Sequence, residues 1–203
     1  MTELNKIELF EKGYTIFNIY NLNDVEINNA LDELYTLSKK KFNCLRYCRL
    51  HGMGMSHLKD EFEKLEKEKQ IQLKNDLYEI WYYKDVDKTK FRKPILNKIK
   101  SFFYNEEIEN MNHACQISMY NDGCYLIEHN DGYNPTPKYK CAILVYLNKK
   151  EEIKNGGELV LEGNIKIKPI IGTVVVLDFT KNDVKHGVTQ VSGYERKCFL
   201  NFC

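Results

Sequence analysis

The run Gln116-Ile117-Ser118-Met119-Tyr120-Asn121-Asp122-Gly123-Cys124-Tyr125-Leu126-Ile127-Glu128-His129-Asn130-Asp131 decides how this chain is read. Its β-rich pieces, Gln116 to Tyr120 and Tyr125 to Glu128, flank Asn121-Asp122-Gly123, a run of turn formers, and so predict two strands. Downstream the same texture recurs at Tyr139 to Leu147, Glu158 to Leu161, Asn164 to Ile167, Thr173 to Phe179, Gly187 to Val191 and Lys197 to Phe202. Short strands in series, with no helical period between them, predict a mainly β double-sheet jelly roll that closes on itself.

Upstream the pattern is mixed. Thr2 to Lys12 predicts a short helix, with Leu4, Ile7 and Phe10 recurring near helical spacing and Gly13 as its stop. Tyr14 to Tyr20 predicts a strand at a sheet edge. A second helix, capped by Asn23 or Asp24, places Ile27, Ala30, Leu31, Leu34 and Leu37 on one stripe before Lys39-Lys40-Lys41. Phe42 to Ser56 gives no clear pattern, and the glycine-rich run His51 to His57 reads as a mobile loop. Leu58 to Leu77 interleaves Glu and Lys, the pattern of a solvated helix. Tyr78 to Tyr83 predicts an aromatic strand, and Pro94 opens an amphipathic helix through Ile95, Leu96, Ile99, Phe102 and Phe103. The whole reads as one α+β domain: residues 1–115 form a mixed, largely helical support layer, and residues 116–203 form the β core.

Composition excludes several function classes. The chain has 203 residues, 43% hydrophobic and 29% charged, with a formal net charge of +1. That balance gives no electrostatic case for nucleic acid or a membrane surface. No basic segment followed by an apolar block opens the chain, and no apolar run approaches a membrane span. The cysteines number seven, an odd count without a C-x-x-C pair. Reduced thiols in a cytoplasmic protein are expected. Cys44, Cys48, His51 and His57 match no zinc spacing and read as two buried thiols and two surface imidazoles.

The chemistry sits in the β core. At strand geometry His129 and Asp131 point to one side of the backbone. His186 returns at the head of the run His186-Gly187-Val188-Thr189-Gln190-Val191. Two histidines and a carboxylate are the set that holds non-haem Fe(II) on one face and leaves other positions open. Arg196 follows the turn-like Ser192-Gly193-Tyr194-Glu195. It is either a forked donor for the far carboxylate of a short diacid or a surface cation beside a carboxylate. Gly156-Gly157 reads as a tight strand reversal, Asp178 as a strand-end hydrogen-bond acceptor, and His113 as a structural or solvated histidine.

Taken in order, Tyr120-Asn121-Asp122-Gly123, His129-Asn130-Asp131, Leu144-Val145-Tyr146-Leu147-Asn148, Gly156-Gly157-Glu158-Leu159, Gly172, Asp178-Phe179, His186-Gly187-Val188, Gly193 and Arg196 form a set. That set resembles the Fe(II)- and 2-oxoglutarate-dependent dioxygenases, in their prolyl-4-hydroxylase-like branch, over roughly the last 90 residues. The resemblance implies a double-stranded β-helix of the cupin-like kind. It also implies His129, Asp131 and His186 as Fe(II) ligands, and Arg196, Tyr146 and Tyr120 as contacts for 2-oxoglutarate. O2 is the second cosubstrate, and ascorbate is an optional further cofactor. Tyr125 is displaced by one from the family's second tyrosine, where this chain has Leu126. A carboxylate at Asp131 favours hydroxylation over halogenation, because related halogenases carry a small residue there. The expected reaction is hydroxylation of an unactivated C–H in a prolyl or other residue of a peptide or protein. The alternatives are a free amino acid or small metabolite as substrate and, from another class, a non-catalytic jelly-roll binding module. A zinc hydrolase on the same ligands would leave Arg196 idle and lacks a placed glutamate base. The loop Gly132 to Pro137 is expected to border the substrate entrance.

Overall fold

Two antiparallel sheets face each other, and the chain passes between them repeatedly. The structure, a computed structural model, describes residues 3–20, 23–39, 44–49, 57–58, 64–69, 77–83, 92–103, 114–130, 141–180 and 184–202. Asp131, the loop Gly132 to Pro137, residues 51–56 and His113 lie outside the described residues.

The chain opens with α1 (Glu3–Lys12), β1 (Tyr14–Asn18) and α2 (Val25–Ser38). Next come β2 (Cys44–Arg49), β3 (His57–Leu58), β4 (Leu77–Tyr83) and α3 (Arg92–Phe103). The predicted core strands follow as β5 (Ala114–Tyr120), β6 (Leu126–His129), β7 (Cys141–Tyr146) and β8 (Leu159–Leu161), then β9 (Ile165–Ile167), β10 (Thr173–Asp178), β11 (His186–Val188) and β12 (Arg196–Phe202). The larger sheet runs β1-β10-β7-β12-β5-β4-β2-β3, and the smaller runs β6-β11-β8-β9. From β5 to β12 the chain therefore alternates sheets, with β8 and β9 as one hairpin, which is jelly-roll topology.

Strands β7 and β10 are almost uniformly apolar because both faces of the larger sheet are covered. Ile143, Val145, Val174, Val176, Ile117 and Phe199 join one apolar cluster with residues from all three helices, including Leu9, Leu31, Leu34 and Ile99. The alternate positions, among them Tyr120, Leu144, Tyr146, Val175 and Cys198, meet Leu159, Leu161, Ile167 and Val188 of the smaller sheet. Side-chain alternation thus divides each central strand between a helix-facing layer and the inter-sheet space.

The N-terminal part also adds strands to the larger sheet, β1 at one edge and β4, β2 and β3 at the other. Asp24 caps α2 by accepting from the Glu26 and Ile27 backbone N–H groups. All five residues of the expected α2 stripe are buried, as are Ile95, Leu96 and Ile99 of α3. Lys98 of α3 closes on Asp24 at 3.2 Å. No helix among the described residues is long and apolar enough to cross a membrane.

Two expectations fail here, and part of a stretch that the sequence leaves unassigned forms a strand. In α1 the spacing of Leu4, Ile7 and Phe10 misleads, since Ile7 and Phe10 are exposed and Leu9 is buried. Buried Thr15 supplies the reason: its hydroxyl donates to Glu8 and accepts from Asn5 Nδ2. The inward face is therefore Asn5, Glu8 and Leu9, rotated away from the apolar stripe. Within Phe42 to Ser56, Cys44–Arg49 is a strand, held by a full ladder to β4. At the ends of the supposed charged helix, Leu58 and Leu77 belong to β3 and β4, and only a turn at 67–69 is helical among its described residues.

Candidate functional site

Strand pairing brings distant residues together. His129 ends β6 and His186 begins β11, and the antiparallel register sets the two opposite each other. Their rings lie 4.4 Å apart between centroids, tilted by 51°. His186 shares its face of β11 with Val188, which packs in the inter-sheet cluster, so both imidazoles face that space. Gly187 permits the close pairing, since a Cβ there would lie 2.8 Å from the Leu126 carbonyl oxygen.

His129 Nδ1 sits 2.9 Å from the Ile127 carbonyl oxygen. A carbonyl only accepts, so Nδ1 carries the proton and Nε2 keeps its lone pair. That is the orientation a metal-binding imidazole needs, with its second nitrogen fixed by a backbone acceptor. Among the described residues no third His, Cys, Asp or Glu joins the pair; Asp131 follows two positions after His129 in the sequence.

From the larger sheet, Arg196 opens β12 directly opposite Tyr120 of β5. It is 2% exposed, not the surface cation that was the alternative reading. Its Nε donates to the Gly157 carbonyl oxygen at 2.8 Å, and its Nη2 donates to the Tyr146 hydroxyl at 3.3 Å. The guanidinium carbon lies 5.0 Å from the ring centres of both Tyr120 and Tyr146. No carboxylate pairs with Arg196 among the described residues.

Burial opposes the Arg196 charge, but Tyr146, Cys198, Tyr120 and Tyr194 around it prevail and hold its pKa above the usual value. Burial likewise pushes the Tyr146 phenol well above its ordinary range and the Cys198 thiol up to about 12. At neutral pH Tyr146 and Cys198 are therefore uncharged. The cation therefore stands in a buried, polar-lined place with no formal anion beside it among the described residues, a costly arrangement that an anionic ligand would relieve.

Sequence reasoning missed how this corner is built. Gly156 and Gly157, at φ +67° and +74°, do not make a tight reversal. They run beside 189–192 instead, with Gly157 N donating to Thr189 O and Asn155 bridging Ser192. A Cβ at Gly157 would fall 2.1 Å from the Tyr194 hydroxyl and 3.4 Å from Arg196 Cδ. Gly157→Ala is expected to destabilise the chain by roughly 2–5 kcal/mol, from left-handed strain plus overpacking, as read by denaturant unfolding. Asn148 fixes the start of β12 from β7: its Oδ1 accepts from Lys197 N and its Nδ2 donates to Glu195 O, each at 2.7 Å. Asp178 acts as the expected strand-end acceptor, taking the Thr180 N–H and hydroxyl.

The family match falls on the same region, and the structural matches span nearly the whole chain. Residues 115–203 match the family described as the 2OG-Fe(II) oxygenase superfamily. No curated protein matches the chain. Among solved structures, a Pseudomonas putida prolyl-4-hydroxylase superposes with TM-score 0.60 at 12% identity, covering 98% of this chain and 96% of that one. A 2OG-Fe(II) oxygenase family oxidoreductase from Burkholderia pseudomallei gives 0.59 at 18%, covering 98% and 88%. A prolyl hydroxylase from Trichoplax adhaerens, in complex with a hypoxia-inducible-factor peptide fragment, gives 0.56 at 19%, covering 98% and 86%. At these identities the likeness establishes the fold.

Proposed function

We propose that this chain is a 2OG-Fe(II) dioxygenase, as the match of residues 115–203 to that family supports, and that it hydroxylates an unactivated C–H of a prolyl or other residue in a peptide or protein. His129, Asp131 and His186 would hold Fe(II), and Arg196, with Tyr146 and Tyr120, would receive the far carboxylate of 2-oxoglutarate. Bound there, metal and cosubstrate supply O2 activation, in which oxidative decarboxylation to succinate and CO2 accompanies transfer of one oxygen atom to the substrate carbon.

The chain's own residues do the positioning. The Ile127 carbonyl holds His129 in the tautomer that puts the proton on Nδ1 and the lone pair on Nε2. The Gly157 carbonyl occupies Arg196 Nε and so leaves the outer edge of the guanidinium for the carboxylate. Protonated Tyr146 accepts from Arg196 and has its own hydroxyl proton to donate. The apolar lining between the sheets, including Leu144, Leu159, Leu161 and Val188, excludes water and strengthens these contacts.

The observation that carries this reading is the buried Arg196, ringed by phenols and unmatched by a carboxylate among the described residues. The likeness in fold to prolyl hydroxylases, one of them complexed with a peptide, supports a peptidyl substrate. Succinate release, followed with Fe(II), 2-oxoglutarate and ascorbate, tests it against proline-containing peptides, other peptides and free amino acids. Turnover stimulated by peptides is expected. Stimulation by free amino acids alone would overturn the peptide reading, and absence of any 2-oxoglutarate binding would leave only a binding module.

A further inference from the structure

Resting on the proposed function, we infer that Tyr194 is a positioning residue for 2-oxoglutarate: it locks Gly156-Gly157 so that Arg196 is aimed before the ligand arrives. Tyr194 lies in the turn between β11 and β12, two residues ahead of Arg196, and is half-buried. Its hydroxyl donates to the Gly156 carbonyl oxygen at 2.7 Å. The next carbonyl, Gly157, accepts Arg196 Nε at 2.8 Å. Two consecutive carbonyls of one left-handed dipeptide are thus held by two side chains two residues apart, one from the turn and one from the first residue of β12. The end of the Tyr194 ring fills the place a side chain on Gly157 would occupy, and Arg196 Cδ borders the same place.

The frame behind this clamp is fixed independently. Gly193 N donates to Asp122 Oδ1 at 2.8 Å, and Ser192 exchanges backbone hydrogen bonds with Asn155. Gly123 and Cys124 bond both sides of Val191. Burial pushes the Tyr194 phenol up to about 12, against the opposing pull of Arg196, so it stays a donor at neutral pH. A guanidinium held by one backbone carbonyl and one phenol has freedom that ligand binding must remove, and pinning Gly157 removes part of it beforehand. The hydrogen bond of the Tyr194 hydroxyl goes to the Gly156 carbonyl, on the Arg196 side of the site, and not to His129 or His186. Its effect should therefore appear in cosubstrate binding and not in the rate at saturation.

The test compares wild type with Tyr194→Phe, which keeps the ring and loses only the hydroxyl, in the anaerobic Fe(II)-loaded protein. Calorimetric titration with 2-oxoglutarate should show about a five- to tenfold weaker Kd for the variant, the scale of one hydrogen bond. Titration with pyruvate, a 2-oxo acid without the far carboxylate, should show no change. In turnover, KM for 2-oxoglutarate should rise by the same factor while kcat stays within about twofold. Amide exchange at Gly157 should quicken in the ligand-free protein, and Tyr194→Leu should enlarge every effect. Wild-type binding with an equal Kd in Tyr194→Phe, or an equal loss for 2-oxoglutarate and pyruvate, would overturn the positioning role while leaving the cosubstrate site standing. Failure of wild type to bind 2-oxoglutarate would overturn both.

Discussion

Arg196→Leu is expected to weaken 2-oxoglutarate binding by about a hundred- to a thousandfold, the loss that follows from deleting one partner of a buried, charge-assisted pair. Stability should move differently. In the ligand-free chain the guanidinium is buried without a carboxylate partner among the described residues, so its removal relieves a desolvation cost. Against that stand the lost bonds to the Gly157 carbonyl and the Tyr146 hydroxyl. The expected balance is a ligand-free Tm unchanged or raised by up to about 4 °C. The signature lies in the difference: 2-oxoglutarate should raise the Tm of the metal-loaded wild type and leave that of Arg196→Leu unmoved. A variant that lost several degrees and still bound the diacid would show a structural arginine.

His186→Ala should lower Fe(II) affinity by at least about a hundredfold, because one of the three proposed protein ligands is removed. His186 is 6% exposed and packed beside His129, so the substitution also leaves a small cavity, costing about 1–3 kcal/mol. Metal content after desalting, set beside the unfolding midpoint, separates the two effects. Iron retained at wild-type stoichiometry in a folded His186→Ala chain would remove His186 from the ligand set.

The parts of the fold that could be read from the sequence are those where local pattern and tertiary role agree. Strands β7, β8 and β10 are short, largely apolar runs bounded by turn residues, and turn residues separate the remaining core strands from their neighbours. The α2 cap and stripe were equally plain, because Asp24 and the Ile27 to Leu37 spacing act within one helix. Where neighbours decide, the pattern misled. The face of α1 is set by Thr15 on the adjoining strand, and β2 is held by pairing to β4 despite the polar residues within Cys44–Arg49.

The site divides in the same way. His129 and His186 were nameable from their residue types, Arg196, Tyr120 and Tyr146 from the family resemblance of the ordered motifs, and pairing and side-chain alternation turn all five toward the inter-sheet space from opposite sheets. Tyr194 and the use of Gly156-Gly157 were not nameable. Their roles depend on positive φ and on a contact across more than thirty residues, signalled in the sequence only by two adjacent glycines. Asp131 keeps its assignment from the sequence alone, since it lies outside the described residues.

The most direct test is optical. Under anaerobic conditions, Fe(II) and 2-oxoglutarate added together to the wild-type protein should produce a weak visible charge-transfer band that neither gives alone. The band should be absent in His186→Ala and should require far higher 2-oxoglutarate in Arg196→Leu. A wild-type protein that stays colourless at saturating Fe(II) and 2-oxoglutarate, or an undiminished band in His186→Ala, would contradict the account.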